Sequence, residues 1–155
     1  MRKLDRHDRA ILALLQEDAL RTADQLALDV PLSASAIARR VRRLRDEGTI
    51  LADRAVVSEK IGPFLTALVD IQIAKHGLAE VDGLVQRLSV RQEVQMVMEI
   101  AGQVDLALVI AVRDMDAFNA FADEVLADDP VVRRYETRLV KRRRKFTTAW
   151  PIEGR

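Results

Sequence analysis

Two helix-start signals lie eleven residues apart, at Thr22 and Ser33, with a proline between them at residue 31. Thr22 and Gln25 have the spacing of a capping box, in which each side chain bonds the other residue's backbone N–H. Leu26, Ala27 and Val30 form the apolar side of the short helix that follows, and Pro31, which has no N–H to offer the ladder, ends it. Ser33 caps a longer helix running to about Glu47, with Gly48 in the C′ position. Upstream, Leu4, Ile11, Leu12, Leu14 and Leu15 recur at helical spacing, so Asp5 to about Glu17 reads as a first helix with Asp5 as its N-cap. Three short helices, the last two joined by a tight turn, form the helix-turn-helix layout.

At about 100° per residue, Ile37, Val41 and Leu44 fall on one stripe of the third helix, which must face the core. Ser35, Arg39, Arg42 and Asp46 fall opposite, with Ala36 and Arg43 flanking them. Arg40 lies close to the apolar stripe and is expected to pair with an acid of the first helix such as Asp8. The small side chains of Ser33, Ala34, Ser35 and Ala36 allow close approach of the helix N-terminus, whose free N–H groups favour phosphate. Arginine further along can fork onto guanine or hold phosphate. The residues expected to contact DNA are Ser33, Ser35, Ala36, Arg39, Arg42 and Arg43. The plainer reading of such a cluster is a solvated basic face; its place in a capped helix-turn-helix favours DNA.

After Gly48 the pattern changes. Ile50 to Val57 is β-branched and apolar and reads as a short strand or wing, and Lys60-Ile61-Gly62-Pro63 as a linker. The remainder alternates strands and helices. Thr66 to Ala74 is a strand with Ala67, Val69, Ile71 and Ile73 on one face, and Leu78 to Leu88 a helix. Val94 to Ala101 is a strand presenting Val94, Met96, Met98 and Ile100 together. Leu106, Leu108, Ile110 and Val112 alternate in a third strand, and Asp114 caps a helix burying Met115, Phe118, Phe121, Ala122 and Val125. Val131 to Val140 is the fourth strand. The β-α-β-β-α-β order is that of a ferredoxin-like sandwich. Apolar residues on both faces of the second and third strands, Val97 and Ala107 among them, imply that the face away from the helices is covered too, by a second subunit. The expected fold is therefore α+β: a winged helix-turn-helix domain over residues 1–60, then a ferredoxin-like domain over residues 61–155 with a basic tail.

Charge supports two kinds of surface. Residues 1–60 hold 12 Lys and Arg against 10 Asp and Glu, residues 61–132 hold 4 against 12, and residues 133–155 hold 9 against 2. The run Lys141-Arg142-Arg143-Arg144-Lys145 is either a phosphate-contacting patch or, the reading favoured by its place after a strand, a solubilising edge that resists strand pairing. With no cysteine, disulfides, thiolate nucleophiles and Cys-ligated zinc are excluded. No apolar run nears the roughly 20 residues of a membrane span. The start leads straight into an amphipathic pattern and not a signal peptide, so a soluble, cytoplasmic protein is expected. His7 reads as a helix-surface residue and His76 as a solvated loop residue. No catalytic constellation, cofactor motif or metal spacing is visible, and an enzyme is not expected.

The chain resembles the Lrp/AsnC, or feast/famine, family of transcriptional regulators. Leu4-Asp5-x-x-Asp8-x-x-Ile11-Leu12 is similar to that family's first-helix signature. Leu32-Ser33 through Arg40-Val41-Arg42-Arg43-Leu44 to Gly48-x-Ile50 is similar to its recognition helix and exit. Ile61-Gly62 stands where Leu-Gly usually precedes the second domain. Ala101-Gly102-Gln103-Val104-Asp105 resembles its glycine-containing turn, with Gln103 and Val104 in place of the usual acid and aromatic residue. Pro130-Val131-Val132 followed by Thr137 resembles its last-strand start. Pro31 departs from the family's usual glycine, and since proline cannot take positive φ, the turn before the recognition helix must differ.

The resemblance implies a regulator that binds double-stranded promoter DNA and whose second domain senses a small effector, commonly an amino acid. It implies homodimers formed through the second-domain sheets, often assembled into octamers. Carried over by position, Gly102, Asp105 and Thr137 would contact the effector, with Ala101, Gln103 and Val104 nearby. The plainer reading is that Gly102 makes the hairpin turn and Asp105 accepts its backbone bonds. Two rivals remain: an enzyme akin to the sirohaem decarboxylases, which resemble the family in both domains but carry histidine-rich stretches that this chain lacks, and a sensing or assembly module that does not bind DNA.

Overall fold

The computed structural model describes residues 3–74 and 77–152; His76 lies outside them. The chain divides into two compact units. One runs to Val56 and takes in the chain again from Lys145; the other spans Val57–Arg144. The sequence reading placed the boundary at residue 60 and the whole tail in the second domain.

The first unit holds α1 (Arg6–Glu17), α2 (Ala23–Leu26) and α3 (Ala34–Asp46). Each start follows its expected cap. Asp5 accepts the Asp8 N–H at 2.8 Å while the Asp8 carboxylate accepts the Asp5 N–H at 3.3 Å. Thr22 and Gln25 close the reciprocal pair at 3.2 and 2.8 Å, and Ser33 accepts the Ala36 N–H at 3.3 Å. Ile11, Leu26, Val30, Ile37 and Val41 bury together as the core. Truncating a residue of this kind to alanine costs about 2–5 kcal/mol, far more than any solvated contact on the outer face, so the inner stripe decides the rotation of α3.

Two expectations are corrected here. The second helix ends at Leu26 and not at Pro31; residues 27–32 form turns, with Val30 still buried. Residues 51–58 form no strand and are exposed, Leu51 at 92%. A β-ladder needs a partner strand to accept its N–H groups, and none lies alongside among the described residues. Ile50 instead packs onto the first core as α3 ends. That end is a Schellman motif: Gly48 has φ +69°, the Thr49 N–H reaches Leu44 O at 2.8 Å, and the Gly48 N–H reaches Arg45 O at 3.0 Å.

The second unit is the expected βαββαβ domain. A short 3₁₀ turn (Glu59–Ile61) leads into β1 (Leu65–Ile73), α4 (Leu78–Ser89), β2 (Val94–Glu99), β3 (Leu106–Val112), α5 (Met115–Ala122), a π-helical turn (Asp123–Ala127) and β4 (Val132–Leu139). The sheet is antiparallel in the order β2-β3-β1-β4. Alternate residues of β1 and β3 pack with Leu84, Leu88, Phe118, Phe121 and Leu126 in the core. Met115, expected to be buried, is exposed; it begins α5, and Phe118, one turn later, faces the sheet.

Strand β2 departs from its expected alternation. Its register with β3 shifts between Val94 and Met96. Beyond that irregularity Val97 pairs with the buried Leu108 and packs on the core, as Val94 does. Met96 and Met98 pair with Val109 and Ala107 and stand exposed on the other face. One extra residue in an antiparallel strand inverts the facing of everything after it.

Candidate nucleic-acid interface

Helix α3 is locked against α1 by charge as well as by packing. Asp8 is buried, and its Oδ1 accepts from Arg40 Nη1 at 2.7 Å and from Arg43 Nη2 at 2.7 Å. Arg40 Nη1 also reaches Asp5 Oδ2 at 2.7 Å. A buried carboxylate is stable only when paired and hydrogen-bonded, and this one has two guanidinium partners. Burial pushes the Asp8 carboxyl up, but the bonds from Arg43 and Arg40 outweigh it and hold the group below the ordinary range. The Asp8 backbone N–H, and then Arg40, bring Asp5 down to about 2.

Arg40 therefore faces inward, as its position near the apolar stripe implies. Arg43, assigned by sequence to the reading edge, also turns its guanidinium onto Asp8. Arg40 and Arg43 sit one turn apart on the side of α3 that meets α1, and the long side chain of Arg43 reaches the same carboxylate. Asp5 as the second partner of Arg40 was not foreseen; the capping signature at Asp5 and Asp8 was the available signal.

Arg39 and Arg42 remain exposed, and neither has an acidic partner among the described residues. With Ser33 and Ser35, also exposed, they occupy the outward edge of α3; Ala36 is half-buried beside them. Arg45, further along, pairs with Asp53 at 2.9 Å. The first turn of α3 carries no acidic residue, so nothing opposes an anion at its positive end.

Pro31 fits the turn before α3 without distortion. The Leu32 N–H donates to Val30 O at 2.7 Å, a three-residue turn centred on the proline. Such a turn uses a central φ near −75°, which the pyrrolidine ring already holds. Among the described residues only Gly48 has positive φ, so the turn never visits the conformation that would require glycine.

In the second unit, Ala101–Asp105 forms one connection between β2 and β3. Ala101, Gly102 and Gln103 are exposed, and Val104 and Asp105 half-buried. Asp105 Oδ2 accepts the Ile73 N–H at 2.8 Å, the Asp105 N–H reaches Ile71 O at 2.9 Å, and Gln103 O accepts from Gln72 Nε2 at 3.1 Å. Asp105 thus ties the turn to the end of β1. Gly102 has no positive φ, and a Cβ there would meet Ile100 at an ordinary 3.7 Å; the turn itself does not demand glycine. Thr137 is not beside this turn in the same chain. It pairs with Val69 in mid-sheet, two strands across from β3 and about two residues along from Leu106, roughly 12 Å away by sheet spacings. Its hydroxyl oxygen is buried with no hydrogen-bond partner among the described residues.

Comparison with known proteins agrees with both units. Residues 4–50 match the winged helix-turn-helix DNA-binding family and residues 66–150 the Lrp/AsnC ligand binding domain. The chain is 31% identical over 151 residues to the DNA-binding transcriptional activator DecR of Escherichia coli, covering 97% of this chain and 99% of that one. It is 30% identical over 151 residues to the transcriptional regulator AzlB of Bacillus subtilis, covering 97% and 96%. Among solved structures it superposes on a Neisseria meningitidis transcriptional regulator in complex with L-methionine, with TM-score 0.83, 29% identity and coverage of 96% and 97%. These relatives are transcriptional regulators and not enzymes. No helix among the described residues is long and apolar enough to cross a membrane. The chain belongs to the Lrp/AsnC family of helix-turn-helix transcriptional regulators.

Proposed function

We propose that the protein reads double-stranded promoter DNA with the outer edge of α3. Arg39 and Arg42 supply the side-chain contacts, Ser33, Ser35 and Ala36 the close approach, and Arg43 the hold on Asp8 that keeps the edge in phase. The observation that carries this reading is the sorting of the arginines: Arg40 and Arg43 are spent on Asp8, while Arg39 and Arg42 are exposed and unpaired. In the major groove, a forked arginine distinguishes guanine from other bases. The test is binding of the purified protein to the DNA upstream of its own gene. Arg39→Ala/Arg42→Ala is expected to weaken specific binding by about thirtyfold or more, at about 1–3 kcal/mol per lost contact. Parent-like binding by the double variant would mean that another face reads the DNA, and no specific binding by the parent would leave a sensing or assembly module.

The second unit is assigned a small effector, an α-amino acid, at the Ala101–Asp105 turn. Three features support this: the L-methionine complex of the Neisseria relative, the exposed backbone around Gly102, whose smallness nothing among the described residues requires, and the Thr137 hydroxyl, unpartnered among the described residues. The separation of Thr137 from the turn means that one small molecule touching both takes them from two subunits. Homodimers pair through the open face of the sheet, and further association into octamers brings such groups together. Repeating the DNA titration with each of the twenty amino acids tests the effector: at least one should shift affinity or stoichiometry, and none doing so removes the effector reading.

A further inference from the structure

The basic run after β4 is not absorbed by that function. Strand β4 ends at Leu139, so Lys141–Lys145 does not lie along the sheet edge. Arg133, Arg134 and Arg138 already place charge along that edge strand. The run is instead flanked by two anchors, each within its own unit. On one side the Val140 N–H donates to Thr66 O at 2.8 Å. On the other, Trp150 is clamped to α1: its N–H donates to Gln16 Oε1 at 2.6 Å, and its carbonyl accepts from Gln16 Nε2 at 3.1 Å. From Lys145 onward the chain belongs to the helix-turn-helix unit.

Lys141, Arg142, Arg144 and Lys145 are exposed, and among the described residues none has an ion-pair partner. The stretch from Val140 to Trp150 contains no Asp or Glu. Four unneutralised cations on a tethered segment meet a polyanion without the full entropy cost of ordering a free tail. Lys145 is five residues from the Trp150 clamp, at most about 17 Å of extended chain, and Lys141 nine residues, at most about 31 Å; both are less than one helical turn of duplex, about 34 Å.

We propose that Lys141, Arg142, Arg144 and Lys145 form a second, sequence-independent contact with the phosphate backbone of the DNA that α3 reads. The proposal rests on the DNA-reading assignment of α3. It gives the protein two separable contributions: specificity from Arg39 and Arg42, and a salt-dependent hold from the tethered run.

The test is the salt dependence of binding to the upstream fragment and to a scrambled duplex, for the full chain and for Lys141→Gln/Arg142→Gln/Arg144→Gln/Lys145→Gln. Each phosphate contact contributes about 0.9 to the slope of log K against log salt. The variant should therefore lose about 3 to 4 units of slope per bound subunit, weakening equally on both duplexes with its specificity ratio unchanged. The charge-conserving Lys141→Arg/Arg142→Lys/Arg144→Lys/Lys145→Arg variant should keep the parent slope. An unchanged slope in the glutamine variant overturns the proposal, whether or not that variant aggregates, and so does a loss confined to the upstream fragment. A parent that binds both duplexes alike overturns the reading of α3 instead, while its slope still tests the run.

Discussion

At the scale of single residues, Asp8 does the most to set which edge of α3 faces outward. It is buried, it holds Arg40 and Arg43 of α3, and its carboxylate closes the capping box of α1. Asp8→Ala should destabilise the helix-turn-helix unit by about 2–3 kcal/mol, below the largest values for a broken buried pair because both arginines stay about a quarter exposed and can turn to water. Amide hydrogen exchange in α1 and α3 measures this; protection equal to the parent's would show that apolar packing alone holds α3. The same site predicts an acid response. Asp5 is lowered from 3.8 to about 2, and Asp8 is lowered too. Groups whose carboxyls are depressed by folding contribute stability above their unfolded value and lose it as pH falls through the folded one. Protection in α1 and α3 should hold down to about pH 4 and fall between about 4 and 2, less steeply in Asp8→Ala. The Asp5 share persists there, because its largest cause is a backbone N–H that alanine retains.

At the scale of elements, the helices were the most legible part of the chain. A capping box or a capping serine is a local device, complete within four residues, and all three cap sites of the first unit stand where the sequence puts them. Pro31 was legible as a break but not as a fit, since its compatibility depends on the Val30–Leu32 turn that surrounds it. Pro31→Ala should cost no more than about 1 kcal/mol, acting through the unfolded chain, and should leave DNA affinity within about twofold. A tenfold change in a binding titration would mean that the proline does set the presentation of α3. The strands were legible in number and order and less so in facing. The irregularity between Val94 and Met96 and the missing strand after Ile50 both depend on what lies alongside, which local pattern does not record.

At the scale of the whole molecule, the open sheet face carries the assembly proposal. Leu68, Met96, Met98 and Ile100 are exposed large apolar residues away from the helix-side core, and contiguous patches of that kind mark interaction sites. The inversion in β2 makes the prediction specific. Met98→Asp should leave each subunit folded yet lower the mass measured by light scattering, whereas Val97→Asp places a charge against the core and should unfold the second unit. A Met98→Asp protein of parental mass would move the subunit contact elsewhere.

By itself, the sequence determined the local and periodic features: where helices start, which stripe of α3 turns inward and the βαββαβ order. Each rests on spacing along a helix or strand, or on a cap closed within one turn, and such signals survive in one dimension. Only the tertiary structure decided which arginines remain available. Arg43 is withdrawn by a carboxylate thirty-five residues away, Trp150 is clamped by a glutamine 134 residues away, and Thr137 stands apart from the turn it was grouped with. A long flexible side chain has many partners within reach of its Cα, and the neighbour it finds is fixed by the packing of distant segments.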